Sequence, residues 1–303
     1  MAGDLGAVVT SARARVSHFA SSAEQVDRID LVAVMSLLVV LLHSPDVPTS
    51  ALRLLVIAGL LVQPIRRSPW LWLAVTVLRL VTQMPDGWSS IDNHQYLITW
   101  WTLALAFGLW TRDPEWTLRR AARLLIGLCF AFAVLWKVLS AEFLDGTFLS
   151  WTLVKDERFA AFSGAFLGLP DGASEANREA LSAMQAGELD GPLVVETGSR
   201  VLAAGVVMAW WTVLIELAVA VCYLSPLRLR PAHLASVMLA IFVLTVYPVA
   251  AVVGFAWILI AMSVPAALRT ERGWPIAAVT LFIVVLGFPA AAFVFDAVGR
   301  LVG

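Results

Sequence analysis

Nine apolar runs, at about 29–43, 51–64, 69–84, 94–111, 121–143, 200–225, 232–247, 250–268 and 274–295, alternate with short polar connections along the chain. Runs of this kind predict membrane-spanning helices, nine in all, or eight if the first two form one re-entrant pair. Those two are short and are separated by Ser44-Pro45-Asp46-Val47-Pro48, whose prolines break a helix. Residues 1–28 carry Arg13, Arg15 and Arg28 without the apolar stretch of a cleavable signal, and read as a cytosolic segment or an amphipathic helix on the membrane surface. The expected organisation is that segment followed by one transmembrane domain over 29–303: an all-α polytopic membrane protein. One long connection, 144–199, interrupts the pattern. Within it Thr147–Leu167 is aromatic and half apolar, which suggests an interfacial or re-entrant element, and Ser174–Gln185 reads as a capped polar helix.

Composition agrees with a bilayer as the main partner. Of 303 residues 60% are hydrophobic and 14% charged, with a mean hydropathy of +0.84, far from the soluble range. No basic footprint for nucleic acid is visible. The basic residues sort by side. Arg13, Arg15 and Arg28, then Arg66 and Arg67, then Arg112, Arg119, Arg120 and Arg123, then Arg228 and Arg230, then Arg269 and Arg272 all fall at one end of the nine-span arrangement. The positive-inside rule makes that end cytoplasmic, with the chain in a plasma (inner) membrane. The acid-rich 144–199 loop then lies outside, large enough to cover a cavity and too small for a separate catalytic domain.

Few residues can carry chemistry. Lys137 is one of two lysines and stands in the otherwise uncharged stretch Leu124–Ser140. An ammonium at that depth must be paired, neutral or in contact with water. A desolvated lysine can serve as a general base; snorkelling, or a salt bridge to Glu142 or Glu216, is the structural alternative. Asp92-Asn93-His94-Gln95-Tyr96-Leu97 opens the fourth span at its outer end, and Lys137 lies roughly 9 Å below residue 143 at the outer end of the fifth. Two ionisable groups thus reach one leaflet on consecutive helices, which predicts an outward-opening cavity among the fourth, fifth and sixth helices. His94 could polarise a substrate oxygen or simply start its helix. Glu216, deep in the sixth span, must be protonated, paired or hydrated, with Arg53 and Arg79 as further partners within spans.

Several classes find no support. Cys129 and Cys222 sit in apolar runs, against a disulfide framework. Asp86, Asp92 and His94, with His43 elsewhere, are too sparse to predict a metal site. Serine hydrolase, zincin, NTPase and c-type haem motifs are absent from the sequence. Thirteen tryptophans, with pairs such as Trp100/Trp101 and Trp210/Trp211, read mainly as interfacial belt and packing.

The Asp92–Leu97 segment, followed by Trp136-Lys137-Val138-Leu139 and then Glu142-Phe143-Leu144-Asp145-Gly146, resembles the membrane domain of vitamin K-dependent γ-carboxylases, which defines the HTTM family. The resemblance covers about residues 30–270 and rests on these short motifs, with the Glu216 helix resembling a later Glu-containing span of that family. It implies Lys137 as the base that deprotonates a quinol-like substrate, reduced vitamin K or menaquinol, with molecular oxygen as co-substrate. It also implies His94 and Asn93 as supporting groups. Two departures stand out: the large lumenal portion of the carboxylases has no counterpart here, and the seventh span offers Phe242 where many HTTM proteins have an intramembrane histidine. A chain of this kind retains quinol oxygenation, works with a separate extracytoplasmic protein, or has lost catalysis. The alternative from another class is a non-catalytic membrane partner for maturation or export of a secreted peptide, which the acidic loop would recognise.

Overall fold

The computed structural model describes residues 27–42, 50–83, 91–188, 191–250, 252–290 and 294–295. Residues 1–26, His43, the 44–48 turn and Asp86 lie outside that set. The described residues are helical, with no strand among them. In order the helices are α1 (Arg28–Leu42), α2 (Ser50–Leu61), α3 (Gln63–Arg66), α4 (Pro69–Gln83), α5 (Asn93–Trp110), α6 (Pro114–Leu139), α7 (Ala141–Leu144), α8 (Thr147–Lys155), α9 (Ala160–Phe162), α10 (Ala173–Ala186), α11 (Val201–Leu224), α12 (Ala235–Val246), α13 (Val253–Ala266) and α14 (Trp274–Leu286).

Each apolar run contains a helix, but among the described residues only α6 and α11 are long and apolar enough to cross a bilayer. At 1.5 Å per residue they extend about 39 and 36 Å, against a hydrocarbon layer of about 30 Å. The fifth run is displaced from its expected bounds. Its helix starts at Pro114, where Asp113 accepts the Trp116 N–H at 3.0 Å, and stops at Leu139, because Ser140 is extended and its hydroxyl accepts the Phe143 N–H to begin α7. The protein divides into two compact units, one within Met1–Ile126 and Gly254–Ile283, the other within Gly127–Val253 and Val284–Gly303.

In the first unit α4 buries Leu71, Trp72, Val75, Thr76 and Arg79, a stripe at helical spacing. Polar groups on that stripe are matched by α5. Thr76 Oγ1 donates to Thr102 Oγ1 at 2.9 Å, and Arg79 reaches Thr99 Oγ1 at 3.2 Å and Gln95 Oε1 at 2.6 Å. Trp101, fully buried, donates to Ser36 at 2.8 Å. Basic side chains close the ends of helices. Arg66 binds Asp30, in the first turn of α1, through two N–H groups at 2.9 and 2.7 Å, and Arg67 pairs with Asp27. Arg28 donates to the carbonyls of Ala267 and Leu268 just past α13, at 3.2 and 3.4 Å, where a helix has no further N–H to offer them. Arg269 pairs with Glu115 at 3.1 Å. Groups from the clusters at Arg28, 112–123 and 269–272 therefore meet.

In the second unit the 144–199 segment is a folded helical layer against α11. Leu153, Val154, Phe159, Leu167, Leu169 and Ala173 form a buried cluster with Val201. Two glycines set the closeness of the approach: a Cβ on Gly146 would stand 2.5 Å from the Val206 nitrogen, and one on Gly205 would stand 2.7 Å from the Gly146 carbonyl oxygen. Asn177 staples the layer, donating to the carbonyls of Val154 (2.9 Å) and Glu196 (2.8 Å) while accepting the Glu196 N–H at 2.8 Å. The expected capped helix is present as α10, without the side-chain cap. Gly172, left-handed at φ +77°, precedes it, and Ser174 lies inside its first turn. Asp156 caps the following 3-10 turn by accepting the Arg158 N–H, and its bonds with the Arg158 guanidinium hold its carboxyl below the usual range.

Candidate functional site

The second unit brings Lys137 and Glu216 together, and the route is local. On α6, Phe130, Val134 and Lys137 fall at i, i+4 and i+7; on α11, Ala209, Val213 and Glu216 do the same. The two stripes face each other in antiparallel helices, so that Gly127 lies against Leu224 at one end and Lys137 meets Glu216 nearer the other. Lys137 Nζ donates to Glu216 Oε1. The lysine side chain is 22% exposed and the glutamate 8%, so the carboxylate is the buried member. Its other oxygen, Oε2, is buried and has no hydrogen-bond partner among the described residues.

The surroundings are aromatic. Phe143 packs on Ala209 and Val213, and its ring centroid is 5.4 Å from Lys137 Nζ, a cation–π distance. Phe130 meets Phe242 edge-on at 4.7 Å, and Phe242 meets Tyr247 at 5.4 Å. Tyr247 and Cys129 lie within electrostatic range of the Glu216 carboxylate. The Phe242 position thus contributes packing and no ionisable group. A charged pair with one orphaned oxygen among aromatic rings can accept, hold and return a proton, and it can receive a hydroxyl donor at Oε2.

The other expected residues lie in the first unit. His94 is buried in the first turn of α5 and Asn93 is exposed at its first position. Arg79 is engaged by Gln95 and Thr99 rather than serving Glu216, and Arg53, on α2, is exposed. Among the described residues Glu216 makes its ion pair with Lys137, and Arg79 bonds to side chains one turn apart on α5. Sequence reasoning passed over Phe143 and Tyr247 as neighbours of the pair. Stepping back by three and seven residues from Lys137 and Glu216 finds the packing stripes, whereas nothing local in the sequence signals Tyr247. No family model, curated protein or solved structure matches the chain.

Proposed function

We propose that this chain is a polytopic membrane protein of the HTTM type that takes a proton from a lipophilic quinol, with Lys137 as base and Glu216 as its proton partner. The observation that carries the reading is the Lys137–Glu216 contact beside the Phe143 ring, with Tyr247 within electrostatic range of the carboxylate. Nine crossings, with the bilayer thinned around the shorter helices or their ends flanked by interfacial residues, accommodate all nine apolar runs. The meeting of Arg28, Arg119 and Arg269, from three of the basic clusters, around Glu115 and Glu271 supports placing those helix ends on one side, the cytoplasmic one, with 144–199 outside.

Glu216 can receive the ammonium proton, which leaves an amine in apolar surroundings where a charged pair has little solvation to lose by neutralising. The amine then removes a proton from a quinol hydroxyl. Flat rings suit the aromatic walls, and the orphaned Glu216 oxygen can bind a hydroxyl. In the complete reaction the quinol and one molecule of oxygen give quinone epoxide and water: one oxygen atom enters the ring, and the other leaves with both quinol hydrogens.

The test is anaerobic loading of purified protein in nanodiscs with reduced menaquinone or reduced vitamin K, admission of oxygen, and mass spectrometry of the quinone. Epoxide from wild type, and its loss in Lys137→Ala with unaltered folding, is the expected result. Quinone without epoxide in wild type overturns the proposal, because uncatalysed oxidation by air gives that product. His94→Gln and Asn93→Ala, assayed alongside, determine whether those two residues contribute.

A further inference from the structure

A second feature, built from other residues, lies in the 144–199 layer. An open cavity of about 880 Å³ separates the 3-10 turn Glu157–Phe159 and the segment after it from the first two turns of α10. Its volume is that of a ligand pocket, but its lining differs from the aromatic surroundings of Lys137. Glu157, Asp171, Glu175 and Arg178 stand on the wall. Arg178 pairs with Glu157 at 3.0 Å, and among the described residues neither Asp171 nor Glu175 enters an ion pair. Two carboxylates therefore remain uncompensated across the cavity.

The floor is small. Ala161, Gly164 and Ala165 lie there, and a Cβ built on Gly164 meets nothing closer than the Leu169 carbonyl oxygen at 3.8 Å, so a backbone can come close. The wall also holds an unused hydrogen-bonding group. Ser174 is only 7% exposed and lines the cavity, yet its hydroxyl has no partner among the described residues. A buried hydroxyl left alone costs about 1–3 kcal/mol, a cost that a ligand's polar atom would remove.

We propose that this cavity binds a basic peptide segment from a partner protein. An arginine or lysine side chain lies against Asp171 and Glu175, the peptide backbone passes over the Ala161–Ala165 floor, and Ser174 hydrogen-bonds to a peptide group. Charge selects the occupant: three acids against one arginine disfavour anions, and the small floor accommodates a chain rather than a bulky ring system.

The experiment uses the full chain in zwitterionic nanodiscs and the fluorescence anisotropy of a labelled octapeptide of alternating arginine and glycine, with a glutamate-for-arginine peptide beside it. Saturable binding of the arginine peptide alone is expected. Asp171→Asn combined with Glu175→Gln should weaken it about tenfold, as expected for the loss of two exposed charge pairs. Gly164→Leu fills the floor without changing charge and should weaken it too. Arg178→Gln frees Glu157 and should tighten binding, a gain that misfolding cannot produce. Absence of saturable binding, equal binding of both peptides, or an affinity indifferent to these substitutions overturns the proposal. Because no step involves Lys137, Lys137→Ala should bind the peptide normally, so failure of either proposal is visible without the other.

Discussion

Replacing Gly146 by alanine should destabilise the protein more than the same change at Gly187 or at Gly205, two companion variants that separate the causes. Gly146 precedes α8 at φ +83°, a left-handed conformation that costs an L-residue roughly 1–2 kcal/mol. The new methyl would also stand 2.5 Å from the Val206 nitrogen and 2.8 Å from its Cα, both backbone atoms of α11. Relieving such an overlap by shifting a helix costs about 1–3 kcal/mol, so the two effects together come to about 2–5 kcal/mol. Gly187→Ala, at φ +72° with nothing within 4 Å, isolates the conformational part. Gly205→Ala isolates the packing part, since Gly205 is helical and its methyl would overlap the Ser150 hydroxyl and meet the Gly146 carbonyl oxygen at 2.7 Å, offset by the roughly 0.5–1 kcal/mol that alanine gains over glycine in a helix. The assay is thermal unfolding in one detergent, followed by tryptophan fluorescence. Gly146→Ala should melt lowest, and its loss should approach the sum of the other two once the helix gain is restored. A Gly146→Ala variant as stable as wild type, or no less stable than Gly187→Ala, refutes the close-approach argument. The consequence reaches the candidate site, because this turn follows α7, which carries Phe143 onto Ala209 and Val213 beside Lys137.

Two further outcomes follow from the charged groups. Glu216→Gln leaves the Lys137 ammonium without its counter-charge and should lower stability by roughly 2–3 kcal/mol, less than for a fully buried pair because Lys137 is partly exposed. The double change Lys137→Met with Glu216→Leu should recover most of that loss in the same unfolding assay, and a double variant no better than the single one refutes the account. Asp156 is held below its ordinary pKa of 3.8 by Arg158. Its contribution is therefore complete above that value and is lost as pH falls through the lower folded value. Thermal midpoints of wild type and Asp156→Asn should differ at pH 7 and converge below pH ~3.8; a gap that persists in acid argues against the charge as its source.

Helix content and the positions of the apolar runs were legible in the chain because the signal is local: consecutive apolar residues without breakers form helices wherever they are buried. Boundaries were less so. The fifth run continues apolar through Phe143, yet Ser140 ends α6 with its own hydroxyl and shifts Phe143 onto a separate short helix. Likewise Ser174 looks like a cap in the sequence, but Gly172 takes the positive φ that starts α10 and leaves the serine inside it.

By itself the sequence determined that Lys137 and Glu216 needed partners, since a charge within a long apolar run loses its water wherever that run is buried. It also marked 144–199 as a distinct, acid-rich connection. Which partner each charge took was decided by tertiary structure. Arg79 and Lys137 were both open to Glu216 on grounds of charge, and the choice was made by register: α4 presents Arg79 to Gln95 and Thr99, while the antiparallel run of α6 against α11 brings Lys137 to Glu216. The cavity between the 157–165 segment and α10 depends equally on packing. Its acids are separated by up to eighteen residues, and they share one wall only because Asn177 and the Leu153–Ala173 cluster hold α10 against the rest of the layer.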